Sequence, residues 1–184
     1  MEIAIRNMVC RQCVNTVKRL LAEANITYSN VELGKAEIDD NTTQDKLQAF
    51  DCLLNREGFE RILDPESALV EKVKLSVLHH VRNENDNRHN LSECIYNDVG
   101  VNYDTISRVF SAKEGRTIEK YYITQKIEWV KELLNYGDLT LSEIAYKTGY
   151  SSVAHLSRQF KSVTGFTPTE YLKTSREREN LNEI

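Results

Sequence analysis

The chain contains two copies of one sequence pattern, and the copies lie 50 residues apart. Residues 90–93 (NLSE) recur as residues 140–143 (TLSE), and residues 106–108 (ISR) recur as residues 156–158 (LSR). In each copy an Asn or Thr stands three positions before a Glu, which is the capping-box start of a helix. A glycine turn follows, and then a second helix that closes at another glycine. Each copy is therefore predicted to be a helix-turn-helix motif.

The stretch between the two copies has the spacing of one long helix. Ile123, Ile127, Val130 and Leu134 follow each other at intervals of three and four, as apolar residues do on the buried face of a helix. We therefore predict a single helix over residues 118–136 that joins the two motifs. A rigid connection of this kind would let the second helix of each motif enter successive major grooves of one DNA duplex, about 34 Å apart.

This arrangement resembles the AraC/XylS family of bacterial transcription regulators, whose DNA-binding domain has two helix-turn-helix motifs joined by one long helix. Residues 141–173 (LSEIAYKTGYSSVAHLSRQFKSVTGFTPTEYLK) follow the family signature nearly position for position, and the resemblance covers about residues 75–176. It implies an all-α domain that binds double-stranded DNA and regulates transcription. The chain has no recognisable Ser/His/Asp set, paired catalytic carboxylates or phosphate-binding glycine loop, so we expect no enzyme.

The candidate DNA-binding residues lie on the second helix of each motif. In the second copy, residues 152–161 are predicted to form the recognition helix, whose N-terminal face enters a major groove. His155 and Arg158 can donate to guanine or phosphate, while Val153 and Ala154 can contact thymine methyl groups. The full candidate set is Asn102, Tyr103, Asp104, Ser107 and Arg108 in the first copy and Ser152, Val153, Ala154, His155 and Arg158 in the second.

The distribution of charge favours the second copy as the stronger DNA reader. The net charge is −4, but residues 1–73 carry 9 basic and 13 acidic residues, whereas residues 141–176 carry 5 and 2. In the first copy, Asp104 would face DNA phosphates with a like charge. For Arg108 and Arg158 the alternative is an ion pair within the protein, for instance with the capping glutamates.

The first 63 residues have the pattern of a separate α+β domain. Residues near the N-terminus alternate polar and apolar, as in a strand with one buried face, and helical spacing of apolar residues follows a pair of cysteines. The predicted order is βαββαβ, a ferredoxin-like sandwich. Its strands are expected over residues 2–6, 26–33, 35–38 and 59–63, and its second helix carries Leu47, Phe50, Leu53 and Leu54 and closes at Gly58.

The cysteine pair gives this domain a second resemblance. A strand followed by M-x-C-x-x-C at a helix start, with Cys10 and Cys13, and then by βαβ resembles the heavy-metal-associated domain of copper chaperones and metal-pumping ATPases. The match spans about residues 1–63, and it implies a metal held by the two cysteines. This chain has Asn7 where that family usually has glycine, and bulky Arg11 and Gln12 between the cysteines.

Several chemical roles are open to the cysteines. A helix N-terminus lowers the pKa of a thiol, and two soft thiolates without a nearby His suit Cu(I), whereas Zn²⁺ would require about four ligands. The alternatives are two reduced cysteines in a domain that only binds a partner, and thiol redox chemistry. Met8 is expected to be a buried support for the loop rather than a ligand, and Cys52 and Cys94 are expected to be small core residues.

The chain is predicted to consist of a heavy-metal-associated-like domain over residues 1–63, a DNA-binding domain over residues 64–176 and a charged tail over residues 177–184. The boundary is also a helix start, with Asp64 as N-cap and Pro65 at the first helical position. No apolar run approaches the ~18 residues of a membrane span, and no signal peptide is recognisable, so we expect a cytoplasmic protein.

These features together predict a transcription regulator in which a soft-metal site controls an AraC-type DNA reader. The runner-up is a metal-trafficking or protein-interaction module that keeps the DNA-binding fold but recognises no specific operator. Binding of one selected DNA sequence far above random DNA would separate the two. The sequence leaves open the operator, the sign of regulation and whether the protein forms a homodimer.

Overall fold

The computed structural model describes residues 1–83 and 90–181, and the described side chains end at Thr174. The chain divides into two compact units, which we call the sheet unit (Met1–Ser76 with Tyr96–Lys113) and the helical unit (Val77–Ile95 with Glu114–Ile184). Along the chain the elements are β1 Glu2–Arg6, α1 Arg11–Glu23, β2 Tyr28–Glu32, β3 Lys35–Ile38, α2 Gln44–Arg56, β4 Glu60–Ile62, α3 Pro65–Arg82, α4 Leu91–Val99, α5 Tyr103–Glu114, α6 Ile118–Tyr136, α7 Leu141–Lys147, α8 Val153–Thr164 and α9 Pro168–Leu181.

The sheet unit is built on four antiparallel strands in the order β2-β3-β1-β4. β1 alternates as its sequence predicts, with Ile3 and Ile5 buried in the core. That core also contains Val17, Leu20 and Leu21 of α1 and Leu47, Phe50 and Leu54 of α2. Because both helices bring their apolar stripes to one core with the sheet, the order β1-α1-β2-β3-α2-β4 packs as a two-layer α+β arrangement.

Two of the strands are shorter than the sequence predicts. Ile26 and Phe59 were expected to open strands, but the N–H of Ile26 donates to Leu21 O and the N–H of Phe59 donates to Leu54 O, at 2.9 Å each. Both residues therefore close the preceding helix. The residue before each of them, Asn25 or Gly58, has positive φ, as is usual where a helix ends in a left-handed residue.

The expectation that Cys52 is a small core residue is wrong, since this residue is exposed. On α2 the buried residues are Leu47, Phe50 and Leu54. Cys52 is two positions from both Phe50 and Leu54, and two positions correspond to about 200° of helical rotation, so its side chain faces solvent. Cys94 on α4 is half-buried, close to what the sequence predicts.

The start of α3 is fixed by the predicted cap. Asp64 carboxylate oxygens accept from the N–H of Glu66 at 3.3 Å and from the N–H of Ser67 at 3.1 Å, and Pro65 occupies the first helical position. The sheet also contacts α3 directly. The N–H of Asn7 donates to Glu71 Oε1 at 3.1 Å, and Lys72 Nζ lies 3.6 Å from Glu2 Oε1.

The helical unit packs around α6, whose predicted bounds are confirmed. Thr117 caps its start, and Gly137 at φ 75° ends it. One core cluster of this unit is formed by residues of α6, α7 and α8 and of the turn between α7 and α8, and Tyr171 and Leu172 of α9 pack against it. Its buried members are Ile127, Val130, Leu134, Ile144, Ala145, Tyr150, Leu156 and Phe160. Within the described part of the chain, no helix has the length and apolar character needed to cross a membrane.

Candidate nucleic-acid interface

The second recognition helix, α8, is bounded by two strong end signals. Ser152 is its N-cap, and the Ser152 hydroxyl accepts from the N–H of His155 at 3.1 Å. Gly165, at φ 84°, is its C-cap. The predicted helix over residues 152–161 was therefore wrong at both ends, because Ser152 lies outside the helix and no terminating residue occurs before Gly165.

Buried residues set the rotation of α8 about its axis. Leu156 and Phe160 are fully buried in the core of the helical unit. Residues on the opposite face are turned to solvent. Of the candidates, Ser152, Ala154, His155 and Arg158 are exposed and Val153 is half-buried; Lys161, one turn further along, is also exposed.

The first recognition helix, α5, shows the same succession of buried and exposed residues at an offset of 50. Ile106 and Phe110 are buried in place of Leu156 and Phe160. Asn102, Asp104 and Arg108 are exposed, while Tyr103 and Ser107 are half-buried. The prediction missed Thr105, which is exposed at the position equivalent to His155; the internal offset alone would have identified it.

Two of the candidate side chains already serve as helix caps. The Ser152 hydroxyl caps α8, as described above. At the start of α5, the amide oxygen of Asn102 accepts from the N–H of Asp104 at 2.9 Å. A group that satisfies a free N–H of the first turn is held in place and offers fewer free lone pairs to a base. Ser152 and Asn102 are therefore better suited to fixing the helix start than to reading sequence.

The two arginines are available for an external partner. Among the residues that the structure describes, neither Arg108 nor Arg158 forms an ion pair, which disfavours the alternative of intramolecular pairing. The capping Glu143 instead accepts from the N–H and the hydroxyl of Thr140, both at 2.7 Å. Those hydrogen bonds, the hydroxyl one first, hold the pKa of Glu143 below its usual value.

The charge carried by the two recognition helices differs. α8 contains Arg158 and Lys161 and no acidic residue. α5 contains two acidic residues, Asp104 and Glu114, and two basic residues. One of the basic residues is already paired: Lys113 Nζ lies 2.6 Å from Asp64 Oδ2 and 3.5 Å from Glu66 Oε2. The hydrogen bond from Lys113, followed by that from Ser67, holds the pKa of Asp64 well below its usual range. α8 therefore presents the more positive surface.

A tyrosine from the turn before α8 supports this helix. Tyr150 is buried, and its hydroxyl donates to Gln159 Oε1 at 2.6 Å. Its ring meets the His155 ring edge-on, with 5.3 Å between centroids. Ser151 Oγ lies 3.2 Å from His155 Nδ1, so His155 is held on two sides.

The thiol pair lies in the sheet unit, at the start of α1. Cys10 is the N-cap residue and Cys13 lies in the first turn, with 3.4 Å between the two sulfurs. Cys10 is exposed and Cys13 is half-buried. Hydrogen bonds from the Cys13 N–H, the Cys13 side chain and the Gln12 N–H lower the pKa of the Cys10 thiol. Met8 is fully buried, which confirms its predicted role as a support for the loop.

The described residues contain no group of three or more His, Cys, Asp or Glu side chains arranged to hold a metal. A four-ligand Zn²⁺ site within this part of the chain is therefore not available. Two sulfurs at 3.4 Å remain a donor pair of the kind that a soft, low-coordinate ion accepts.

Sequence comparison relates one part of the chain to known proteins. A family model described as a helix-turn-helix domain matches residues 95–174. Over 73 residues the chain is 36% identical to an uncharacterised HTH-type transcriptional regulator of Staphylococcus aureus. The aligned stretch covers 40% of this chain and 10% of that protein. Over 75 residues it is 36% identical to a Streptomyces lividans protein described as an AraC-like transcription regulator. This aligned stretch covers 41% of this chain and 25% of that protein. The chain thus spans a quarter or less of the length of these relatives.

Structural comparison also relates the chain to a DNA-binding domain. The chain is similar to the DNA-binding domain of AdpA, described as a global transcriptional factor and solved in complex with a target DNA. The TM-score is 0.50 at 23% identity, over 62% of this chain and 96% of that one. At this level of identity the likeness shows a shared fold.

Proposed function

We propose that this chain is an AraC-type transcription regulator that binds double-stranded DNA at specific sequences. Support comes from the match of residues 95–174 to a helix-turn-helix family model and from a relative described as an AraC-like transcription regulator. The observation that carries the proposal is the repeated pattern of α5 and α8, in which the same positions are buried and the same positions are exposed. A face that is exposed twice in one register is suited to reading two sites on a duplex. Each face carries an exposed arginine that forms no ion pair with any residue that the structure describes.

The roles of individual residues follow from their chemistry. Arg158 is exposed near the middle of α8 and can donate two hydrogen bonds to guanine. His155 can donate to a base or a phosphate, and the methyl group of Ala154 fits a thymine methyl. Lys161 adds a phosphate contact further along the same helix. The DNA-binding domain of AdpA, which has a similar fold and was solved in complex with a target DNA, supports this use of the domain.

The test is selection of DNA duplexes from a random library by the full chain at about 150 mM salt, followed by affinity measurements on the selected sequence. Arg158→Ala is expected to weaken binding about 5- to 150-fold, as for loss of a base contact of about 1 to 3 kcal/mol, and to relax preference at one position. Arg56→Ala removes an equal charge from an exposed position on α2 and should change affinity little.

Two results would count against this assignment. If the wild type selects no sequence, the chain is not a sequence-specific binder and the runner-up function is favoured. If it selects a sequence but only Arg108→Ala alters binding, the first copy is the dominant reader and α8 is secondary.

We further propose that residues 1–63 form a ferredoxin-like domain of the heavy-metal-associated type that binds one Cu(I) ion. The element order β1-α1-β2-β3-α2-β4 and the strand order β2-β3-β1-β4 support the fold. The donor set suits a soft ion, since two thiol groups lie next to each other at a helix start where the pKa of Cys10 is lowered. Bound there, one Cu(I) ion would leave the pair of thiolates with a net charge of −1.

A further inference from the structure

Lys126 is a charged side chain in the interior of the helical unit. It lies on α6 and is only 9% exposed. Within the described residues no carboxylate forms an ion pair with it; its partners are aromatic rings. Its Nζ lies 4.3 Å from the centroid of Tyr150 and 5.5 Å from that of Tyr122. An ammonium group removed from water needs compensation, and aromatic ring faces provide it most effectively when the cation is desolvated.

The ring nearest Lys126 is the one that supports the recognition helix. Tyr150 donates its hydroxyl hydrogen to Gln159 Oε1 at 2.6 Å and packs edge-on against His155. Gln159 is half-buried, whereas His155 is exposed on the proposed DNA-binding face. A continuous set of contacts therefore runs from the Lys126 ammonium through one buried ring to a side chain on the surface of α8.

We infer that Lys126 is a positioning residue for DNA recognition: its positive charge holds the Tyr150 ring, and Tyr150 in turn fixes His155 and Gln159 on the second recognition helix. The inference rests on the proposed function of α8. Because Lys126 is only 9% exposed, the proposed role is indirect and acts through the geometry of α8. A neutral side chain of similar length would fill the space but would not attract the ring face.

The positive charge of Lys126 depends on pH. Burial lowers the pKa of Lys126 to about 8, so the side chain is largely a cation at pH 7 and loses its proton as pH rises through 8. Five other titratable side chains surround Lys126 and its two rings: Tyr122, Tyr150, His155, His80 and Cys94. His80 packs on the Tyr122 ring, and besides burial the charge of Cys94 would raise the pKa of Tyr122. Burial raises the pKa of both tyrosines, so both stay neutral in this range.

Stability and DNA binding should move in opposite directions with pH. The pKa of Lys126 is about 8 in the folded chain against an ordinary value of 10.5, so between these values the unfolded chain binds more protons. The folded state therefore gains stability as pH rises from 8 towards 10.5. DNA affinity, in contrast, should fall over the same range because the Tyr150 ring loses its cation. A fall in binding without a loss of folded protein is a result that a merely structural lysine would not produce.

The experiment measures affinity for the duplex selected by the wild type, from pH 7 to 9.5, for the full chain and three variants. In the wild type we expect a fall of about 5- to 30-fold centred near pH 8, the range set by a desolvated cation–π contact. Lys126→Arg keeps its charge at every pH used and should show no such step. Lys126→Met should bind weakly at every pH. All variants retain Cys94, His80 and His155, so a step caused by those groups would persist in Lys126→Arg.

Tyr150→Phe provides a milder variant in case Lys126→Met does not fold. It keeps the ring over Lys126 and removes only the hydrogen bond to Gln159, so it should bind several-fold more weakly at pH 7 and retain the pH step. Thermal unfolding of each variant shows whether it is folded. A wild type that selects DNA but shows no step, or a folded Lys126→Met that binds like the wild type at pH 7, overturns the inference. A wild type that selects no DNA instead removes the proposed function.

Discussion

Asn7 shows how one residue can satisfy three demands at a strained position. Its φ is 71°, in the left-handed region that few side chains adopt. Its side-chain amide donates to Gly58 O at 2.9 Å, and its backbone N–H donates to the buried Glu71 at 3.1 Å. Asparagine is among the residues that tolerate positive φ best, so this residue suits the backbone of the loop before the cysteines.

Substitutions at Asn7 should separate backbone strain from side-chain hydrogen bonding. Asn7→Gly keeps the conformation and loses one exposed hydrogen bond, so we expect a change in the free energy of unfolding within about 1 kcal/mol. Asn7→Val places a β-branched residue at positive φ and should destabilise by about 2 to 3 kcal/mol. Urea unfolding measures both. Asn41→Val, at a loop residue outside the positive-φ set, is the matched control and should be near neutral. Equal effects of Gly and Val at position 7 would contradict the strain argument.

At this scale the sequence predicts exposure better than it predicts hydrogen-bonding roles. The spacing of Leu156 and Phe160 correctly placed Arg158 and His155 on the outer face, because a helix turns by a fixed angle per residue. The same spacing could not show that the Ser152 hydroxyl caps α8, nor that Lys126 lies under Tyr150. The contact between Lys126 and Tyr150 depends on how distant parts of the chain pack. The Ser152 cap is local, but the spacing of apolar residues carries no information about a hydroxyl group.

Among the elements, helix starts were predicted more reliably than strand ends. Capping sequences act locally, through hydrogen bonds within one turn, and so they can be read from the chain. Thr140 with Glu143 forms the predicted reciprocal cap, and Thr167 with Glu170 forms another of the same kind. The ends of β2 and β4 depend instead on how the preceding helix closes, and a residue with strand character, such as Phe59, is used for that closure.

The cap of α7 should contribute measurably to the stability of the second motif. Thr140→Ala removes the hydroxyl that accepts from the N–H of Glu143 at 3.3 Å and should cost about 1 kcal/mol. Thr43 is the matched control, because it holds the same N-cap position on α2 but its side chain makes no capping hydrogen bond. Thr43→Ala should therefore change the free energy of unfolding by a few tenths of a kcal/mol at most. Chemical denaturation measures both, and equal losses would show that the side-chain bond is not the source of the effect.

At the scale of the whole molecule, the thiol pair and the first recognition helix belong to the same compact unit. The thiol pair of Cys10 and Cys13 lies in the sheet unit, and so does the first recognition helix, α5. Contacts connect them within that unit: Asn7 beside the cysteine loop donates to Glu71 on α3, and Lys113 on α5 contacts Asp64 at the start of α3. The linear order of the chain suggests a metal domain followed by a reader, whereas the packing places the thiols and one recognition helix together. Only tertiary contacts could show this.

An ion bound at the thiols should therefore alter the contribution of α5 to DNA affinity. A ligand shifts an equilibrium only if it favours one arrangement, and typical couplings of about 1 to 3 kcal/mol correspond to roughly 5- to 150-fold in affinity. We expect Cu(I) to change the affinity of the wild type for its selected duplex by a factor in this range, and the duplex to change Cu(I) affinity by the same factor. The measurement is a Cu(I) titration with and without that duplex, repeated with Zn²⁺, which should bind far more weakly.

Three variants locate the coupling. Cys10→Ser/Cys13→Ser should lose both tight Cu(I) binding and its effect on DNA, while Cys52→Ser, at an exposed cysteine on α2, should keep both. Lys113→Met breaks the contacts of α5 with Asp64 and Glu66 and should bind Cu(I) normally with a reduced effect on DNA affinity. Because α8 belongs to the other unit, Arg158→Ala should weaken DNA binding without changing the coupling factor. Tight Cu(I) binding that leaves DNA affinity unchanged would keep the metal site and remove the regulatory link, and a coupling factor that Lys113→Met leaves intact would show that α5 is not its route.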